Sequence, residues 1–322
     1  MTLHIPQAFK DAQAAAPFVE KQGYAIEATI YRKRYANLDY ASHVPVVTEG
    51  NPWAIGTMFR MIDTTGTAKF ISGKAEDLPK SSVTRDQASH DFAMIGAGWD
   101  WDIEEINQAS MYGINLSDEK ALGATRGIEQ LLYDIAMIGA AEKGWTGLVN
   151  SAIVQRADAP ATGTGDVTFW NKKTPLQILA DLFTPFNTIK RNSKEIETAN
   201  AIRLPPAAMD YIAQTYVDGD STSPTILERF KSSYQAQYGS APDIAPMRAL
   251  ETASQDGGGR LMVYRKEPDV VRFHLPKPRS VLPVWQNGLM SWEQAVIART
   301  GGVEIRLPAA MAYLDEVMAP PA

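Results

Sequence analysis

A long amphipathic segment limits the folds that are open to this chain. It begins at Ser117, a good helix N-cap, and Asp118 and Glu119 follow in the first turn, where the helix dipole favours acidic side chains. Apolar residues then recur at helical spacing until the segment ends near Gly144. A helix of this length would measure about 40 Å, so the sequence predicts a structural strut over residues 117–144. Its core-facing side would carry Ala121, Ala124, Ile128, Leu131, Leu132, Ile135 and Ile138.

Composition excludes several kinds of site. The chain has 322 residues, 45% of them apolar, no cysteine and a formal net charge of -6. Without cysteine it can form no disulfide, thiolate metal site, iron–sulfur cluster or cysteine nucleophile. The net negative charge provides no general attraction to nucleic acid or to an acidic membrane. No stretch approaches the ~18 apolar residues of a membrane span and the start lacks a signal-peptide pattern, so a soluble, cytosolic protein is expected.

The first part of the chain lacks a helical stripe and predicts extended structure. Residues 1–50 mix Ala-rich and aromatic stretches with scattered prolines, which predicts an N-terminal arm lying on the body of the protein or on a neighbouring subunit. Residues 53–72 and 90–103 have alternating apolar positions, and a polar, charged segment, 73–89, separates them. We therefore predict that the two runs pair as a long β-hairpin with a charged tip. A two-stranded ribbon is marginal in water, so something should cover one of its faces.

The second half of the chain predicts an α/β unit. A Pro/Gly/Thr-rich stretch after Asn150 separates this half from the strut. Short helical and strand patterns then alternate, beginning with a helix over residues 176–191 and closing with a strand near 312–317.

Sequence motifs for catalysis are scarce. There is no phosphate-binding loop, no dinucleotide-binding glycine fingerprint, no zinc-protease motif and no nucleophile elbow. The densest carboxylate group is Asp100, Asp102, Glu104 and Glu105. Glycoside hydrolysis needs two carboxylates that face each other across a cleft, and neighbours on one strand are a poor source of that geometry. A solvated or intersubunit salt-bridging face is therefore favoured, no catalytic, cofactor or metal site is predicted, and a carboxylate-dependent glycoside hydrolase remains an alternative.

The order of predicted elements resembles the major capsid protein of tailed bacteriophages, the Hong Kong 97-type fold that encapsulins share. In that family a spine helix is followed by a short turn, commonly Gly-Leu-x-Asn, which stands here as Gly147-Leu148-Val149-Asn150. The segment 292–308 is also similar to the end of a subgroup of these proteins. The resemblance implies an α+β chain in four parts. These are an N-terminal arm (1–50), an extended loop (51–89), a peripheral domain (90–150 and 299–322, with the spine helix at 117–144) and an axial α/β domain (151–298).

The resemblance also implies a function. The chain would be a non-enzymatic capsid protein that needs no cofactor and assembles as hexamers and pentamers into the icosahedral head of a tailed bacteriophage, in the cytoplasm of the bacterial host. It would enclose double-stranded DNA without binding it specifically and would not contact a membrane. Scaffolding, portal and decoration proteins are further candidate partners. An encapsulin-type shell is the nearest alternative. Contacts between subunits are expected at Lys74, Glu76, Asp77, Lys80, Arg85, Asp100 and Asp102.

Overall fold

A computed structural model describes residues 38–65, 82–112, 116–165, 167–220 and 222–320 of the chain. The helices in these residues are α1 (Ile103–Tyr112), α2 (Leu116–Met137), α3 (Pro175–Asn192), α4 (Pro206–Gln214) and α5 (Ile226–Tyr238). The strands of the first half are β1 (Val46–Val47), β2 (Gly56–Thr65), β3 (Ser82–Asp91), β4 (Ala93–Asp102), β5 (Gly139–Ala140), β6 (Trp145–Thr146) and β7 (Gln155–Asp158). Those of the second half are β8 (Ala201–Leu204), β9 (Asp243–Pro246), β10 (Gly259–Tyr264), β11 (Val271–His274), β12 (Lys277–Val281), β13 (Trp285–Gln286), β14 (Ser291–Thr300), β15 (Gly302–Ile305) and β16 (Met311–Met318).

The long hairpin exists, but its strands differ from the predicted ones. Strand β2 pairs with β3 over ten residues each, from Gly56 opposite Asp91 to Thr65 opposite Ser82. Part of the segment expected to form the charged tip is therefore strand. The predicted pairing of 53–72 with 90–103 is wrong, because β4 pairs with β14 instead. The physical reason is that β4 has an apolar face that needs a core, whereas the polar β3 suits an exposed ribbon.

Strand β4 places its apolar face over the strut helix. Ile95, Ala97, Trp99 and Trp101 pack on the same core as α2. On that helix Ile128, Leu132 and Ile135 are buried, whereas Leu131 is 43% and Ile138 is 59% exposed. The prediction that these last two residues belong to the core is therefore wrong for the single chain. Leu131 is turned by about 100° from Leu132 around the helix axis, and Ile138 lies beyond the last helical residue.

The strut helix ends seven residues earlier than Gly144, at Met137, because the Gly-Leu-Val-Asn turn closes it. The backbone of Gly139 has φ of 91°, a left-handed conformation that favours glycine. At Gly147 an added Cβ would lie 2.0 Å from the carbonyl oxygen of Met137, so only glycine allows this close approach. The side chain of Asn150 accepts from the Gly147 N–H at 2.8 Å and donates to the Ile138 carbonyl at 2.7 Å.

A five-stranded sheet, in the order β7-β16-β10-β8-β9, separates two apolar cores. Alternate residues of its central strands face opposite ways, as the pleat requires. Ala201, Met262, Tyr264, Met311 and Tyr313 belong to the core that also contains the strut helix. Ile202, Leu204, Leu261, Val263, Ala312 and Leu314 belong to the core under α3, α4 and α5.

The sheet memberships differ from the predicted domain boundaries. The predicted boundary at 298/299 cuts through β14, which pairs with β4 of the predicted peripheral domain over its whole length. Strand β16 lies within the predicted peripheral segment 299–322, but it pairs with β10 and β7 of the predicted axial domain. Residues 38–322 form one compact unit. Alternation of apolar residues does not show which of two sheets a strand joins, so the sequence could not place these strands.

A buried ion pair joins the sheet to the turn that closes the strut helix. Asp315 on β16 accepts from Arg260 on β10 at 2.5 and 2.8 Å, and both side chains are buried. The same guanidinium donates to the carbonyl of Val149 at 2.5 Å and lies 4.8 Å from the centre of the Tyr313 ring. Because the pair has several hydrogen bonds, its charges are satisfied in spite of their burial.

The end of the predicted arm is fixed to the body, while residues 1–37 lie outside the described residues. Strand β1 runs parallel to β11, with Val46 opposite Phe273. Ahead of it, the carbonyl of Ser42 accepts from Lys266 at 2.5 Å, and the carbonyl of His43 accepts from the hydroxyl of Tyr264. These contacts anchor the point at which the predicted arm reaches the body.

Candidate interaction surface

One face of the β4–β14 pair is exposed, and we call it the open face. On β4 it consists of Met94, Gly96, Gly98 and Asp100, which alternate with the buried apolar residues. The register places Ile297, Ala295 and Glu293 of β14 beside them, opposite Gly96, Gly98 and Asp100 respectively. The two glycines leave a flat floor where another chain could approach the backbone. An added Cβ at Gly98 would meet only the carbonyl oxygen of Gln294, at an ordinary 3.5 Å, so the fold itself does not require glycine at this position.

A groove of about 410 Å³ lies at the acidic end of the open face. Leu282, Pro283 and Trp285 form an apolar wall, and Asp100 and Glu293 supply carboxylates. The two carboxylate residues are exposed and stand directly opposite each other on neighbouring strands. Like charges in this position destabilise a sheet. A cation brought by a partner would therefore meet two negative charges whose repulsion it relieves.

The other predicted carboxylates have local structural roles. Asp102 accepts from the Glu105 N–H at 2.7 Å and so caps the start of α1. Glu105 pairs with Lys120 at 2.8 Å, and the Lys120 amine also donates to the backbone carbonyl of Asp100 at 2.7 Å. Asp100, Asp102, Glu104 and Glu105 follow one strand and the start of one helix. They do not form the facing pair across a cleft that glycoside hydrolysis needs.

Four of the five predicted contact residues on the hairpin belong to the part of the chain that the structure does not describe. Lys74, Glu76, Asp77 and Lys80 lie outside the described residues. Arg85 lies in β3, opposite Ile62, and its side chain is outside the described part of the structure. Of the predicted contact residues, Asp100 and Asp102 are the two whose surroundings the structure describes.

A second exposed surface, which we call the apolar tip, consists of Ile103, Ile106, Leu289 and Met290, together with Trp285, which also lines the groove. The Ile103 N–H donates to the Met290 carbonyl at 3.0 Å, which brings the start of α1 to the β13–β14 turn. Leu289 is 96% exposed, and the other four side chains are also exposed. Several large apolar side chains exposed in one region are typical of an interaction site.

Sequence reasoning missed Glu293 and the apolar tip. Glu293 is separated from Asp100 by most of the chain, and only the strand register brings them together. A local signal for the tip did exist, because Asn287-Gly288 is a favoured hairpin turn and two large apolar residues follow it.

The root of the β2–β3 hairpin is fixed to the body close to the open face. The guanidinium of Arg299 donates to the carbonyls of Pro52 and Ala54, each at 2.8 Å. The Trp53 ring lies 4.4 Å from the Lys277 amine, a cation–π contact. The Phe92 N–H donates to the Ile55 carbonyl at 2.8 Å. The hairpin therefore leaves the body from a defined root.

Two other kinds of site are absent from the described residues. None of their helices is long and apolar enough to cross a membrane. Nor do they include a group of three or more histidine, aspartate or glutamate side chains that could hold a metal ion.

Comparisons with known proteins give a consistent result. A family model described as "Major capsid protein" matches residues 66–317, which is most of the chain. The capsid of Myoviridae phage XM1 is similar in structure, with a TM-score of 0.76 and 14% sequence identity over 91% of this chain and 97% of that one. A structure from Microbacterium phage Oxtober96 has a TM-score of 0.61 and 10% identity over 93% and 98%. A virus-like particle from Pyrococcus furiosus has a TM-score of 0.50 and 14% identity over 85% and 90%. No curated protein matches the sequence.

Proposed function

The chain belongs to the major capsid protein family, and from this premise we propose how its exposed surfaces build a closed shell. It has the Hong Kong 97-type fold and is the major structural protein of the icosahedral head shell of a tailed bacteriophage. Such a shell consists of many copies of one chain. The surfaces that matter for function are therefore those that contact other copies.

We propose that the hairpin loop, residues 66–81 between β2 and β3, lies on the open face of a neighbouring subunit. The observation that carries this proposal is the exposed pair of carboxylates, Asp100 opposite Glu293. The loop contributes Lys69, Lys74 and Lys80. A lysine ammonium that approaches both carboxylates would replace repulsion within the subunit by attraction between subunits.

The shapes of the two surfaces support the same contact. The ribbon has ten residues in each strand, and at roughly 3.3 Å per residue it extends about 33 Å. A ribbon of two strands needs cover on one face. The open face offers a flat floor at Gly96 and Gly98, where side chains do not hinder an approaching backbone. Each subunit would then both provide a loop and receive one.

We infer further that the apolar tip makes a second contact between copies. Burial of an exposed Leu289 or Trp285 side chain is worth about 1.5–3 kcal/mol each. We also infer that the copies form hexamers and pentamers and that assembly takes place in the bacterial cytoplasm. The net charge of -6 suits a container that encloses DNA without binding it tightly. Scaffolding, portal and decoration proteins remain candidate partners.

A charge swap in the full chain tests the loop contact. One set of changes, Asp100→Lys with Glu293→Lys, reverses the open face. The other, Lys69→Glu with Lys74→Glu and Lys80→Glu, reverses the hairpin loop. Each set alone should leave the subunit folded by circular dichroism but prevent closed particles at low salt, with partial recovery at high salt, where charges are screened. Both sets together should restore particles in electron micrographs.

The matched control is Asp256→Lys, which changes an exposed carboxylate that is not on the open face. It should assemble normally. If each reversed set forms normal particles at low salt, the proposed contact does not exist. A separate measurement distinguishes a phage head from an encapsulin-type shell, the nearest alternative. Particles purified from the host should contain DNA if they are phage heads, and protein cargo if they are encapsulin-type shells.

A further inference from the structure

Two histidines meet at the root of the β2–β3 hairpin. His90, near the end of β3, hydrogen bonds through Nε2 to the carbonyl of Gly301 in the turn between β14 and β15. Its ring centre lies 5.4 Å from that of His274 on β11 and 6.1 Å from that of Trp145 on β6. The His90 side chain thus joins the hairpin to three elements of the body.

The charges around this contact are few and closely coupled. His274 Nε2 lies 2.7 Å from Glu304 Oε2, and Arg306 Nε donates to that same oxygen at 3.0 Å. Burial opposes ionisation of Glu304, but the His274 hydrogen bond and the charge of Arg306 outweigh it and lower the pKa of the carboxyl. Among the described residues, further charged groups near the cluster include Arg272, which lies beside Arg306 and Glu304 and is also influenced by Glu49 and Asp269, and Asp91, next to His90.

The same cluster also contacts the other strand of the hairpin. The Arg306 guanidinium lies 4.4 Å from the centre of the Phe59 ring on β2. The two strands of the root therefore contact two groups that both pair with Glu304. His90 on β3 contacts His274, and Phe59 on β2 contacts Arg306. The second oxygen of that carboxylate, Oε1, is buried and has no hydrogen-bond partner among the described residues.

We propose that His90 is a protonation-sensitive latch, which holds the hairpin root against the β14–β15 turn when the imidazole is neutral and releases it when the imidazole gains a proton. A positive His90 ring would lie beside His274. Glu304 and Asp91 would attract it, but Glu304 already pairs with His274 and Arg306, so the compensation is partial. Both strands of the β2–β3 ribbon meet the body at this root, so the release of His90 would loosen the attachment of the whole ribbon.

The direction of the pH effect follows from the surroundings of His90. Burial is the largest influence and lowers the pKa of His90 below its ordinary value of 6.5, with the His274 charge acting in the same direction. The hydrogen bond to Gly301 opposes the shift but does not cancel it. The latched root is therefore fully stable above pH 6.5 and loses stability as the pH falls below that value, until the folded-state pKa is reached.

Hydrogen exchange of the unassembled full chain between pH 8 and pH 5 tests the latch, after correction for the intrinsic pH dependence of exchange. Peptides covering residues 55–59 and 88–92 should lose protection below pH 6.5, by at most about tenfold per pH unit for one proton. Peptides from β8 and β10 are the internal control and should not change. His90→Gln keeps a donor for the Gly301 carbonyl but cannot titrate, so it should abolish the pH dependence at the root.

Exchange at the imidazole C2 position of His90 gives a second, independent measurement. In the unaltered chain the midpoint of the His90 titration should mark the low-pH end of the range over which the root loses protection, and this measurement does not depend on whether His90→Gln folds. A root whose protection does not change with pH would overturn the latch. So would a His90→Gln variant that keeps the full pH dependence, or a His90 titration whose midpoint is not below pH 6.5.

Discussion

Asp100 on β4 stands directly opposite Glu293 on β14, with both carboxylates on the exposed face of the sheet. Glu293 also accepts a hydrogen bond from the side-chain amide of Asn287, so its position is held by the β13–β14 turn. Two like charges in this arrangement cost free energy in the isolated subunit. They are useful only where a positive group approaches from outside.

Removing one of these charges should therefore stabilise the subunit and weaken the shell. We expect Glu293→Gln, which keeps the acceptor for Asn287, to raise the free energy of unfolding by about 0.2–1 kcal/mol. Urea denaturation measures this gain, and light scattering should show slower assembly of the same protein. Asp256→Asn is the matched control and should change neither quantity. A less stable Glu293→Gln subunit would contradict the assigned repulsion.

A side chain at Gly98 should block assembly without harming the fold. The fold leaves ordinary contact distance for a Cβ at this position, and valine favours a strand. We expect the free energy of unfolding of Gly98→Val to lie within about 1 kcal/mol of that of the unaltered chain. The variant should nevertheless form few closed particles, because the valine side chain lies on the floor of the open face. Denaturation and electron microscopy measure the two effects. Normal particle yield would show that no chain lies over Gly98.

The strut helix offers a direct comparison of a buried with an exposed apolar residue. Ile135 is buried, so Ile135→Ala should leave a cavity and cost about 2–5 kcal/mol. Leu131 on the same helix is 43% exposed, so Leu131→Ala removes less buried apolar surface and should cost only about 1 kcal/mol or less. Equal losses in the two variants would mean that the helix faces have been assigned incorrectly.

The buried pair of Arg260 and Asp315 should be far more important for stability than an exposed pair. Asp315→Asn leaves the guanidinium buried without its counter-charge and should cost about 3–5 kcal/mol. Glu129→Gln removes an exposed partner of Arg279, 2.9 Å away, and should cost about 0–1 kcal/mol. Thermal unfolding of both variants provides the test. A stable Asp315→Asn chain would contradict the role of this pair in joining the sheet to the Gly-Leu-Val-Asn turn.

Local patterns in the sequence predicted local structure well. The predicted start of the strut helix at Ser117 is one residue from its observed start at Leu116, although Ser117 therefore lies inside the helix and is not its N-cap. Alternation predicted the first strand of a long hairpin but not its partner strand, β3. The end of the helix was placed too late because Ala, Glu and Lys after Gly139 are good helix formers. What ends the helix is a contact from Gly147 and Asn150, which a helical pattern does not show.

Partners distant in the sequence could not be predicted. Asp100 was identified as a candidate contact residue from its exposed position on a strand, but nothing near it in the sequence points to Glu293. Asp100 and Glu293 are opposite each other only because β4 pairs with β14. Strand β3 is also long enough to pair with β4. The choice depends on the core beneath Trp99 and Trp101, which is a property of the whole fold.

The five-stranded sheet has a consequence for how the subunit loses its structure. Its central strands contribute side chains to both cores. If one core unfolds, the shared strands are disrupted and the other core loses the sheet that covers it. The two layers should behave as one cooperative unit, with a single calorimetric transition and no intermediate in which half of the subunit is folded. We therefore expect a subunit to add to a growing shell only when both of its cores are folded.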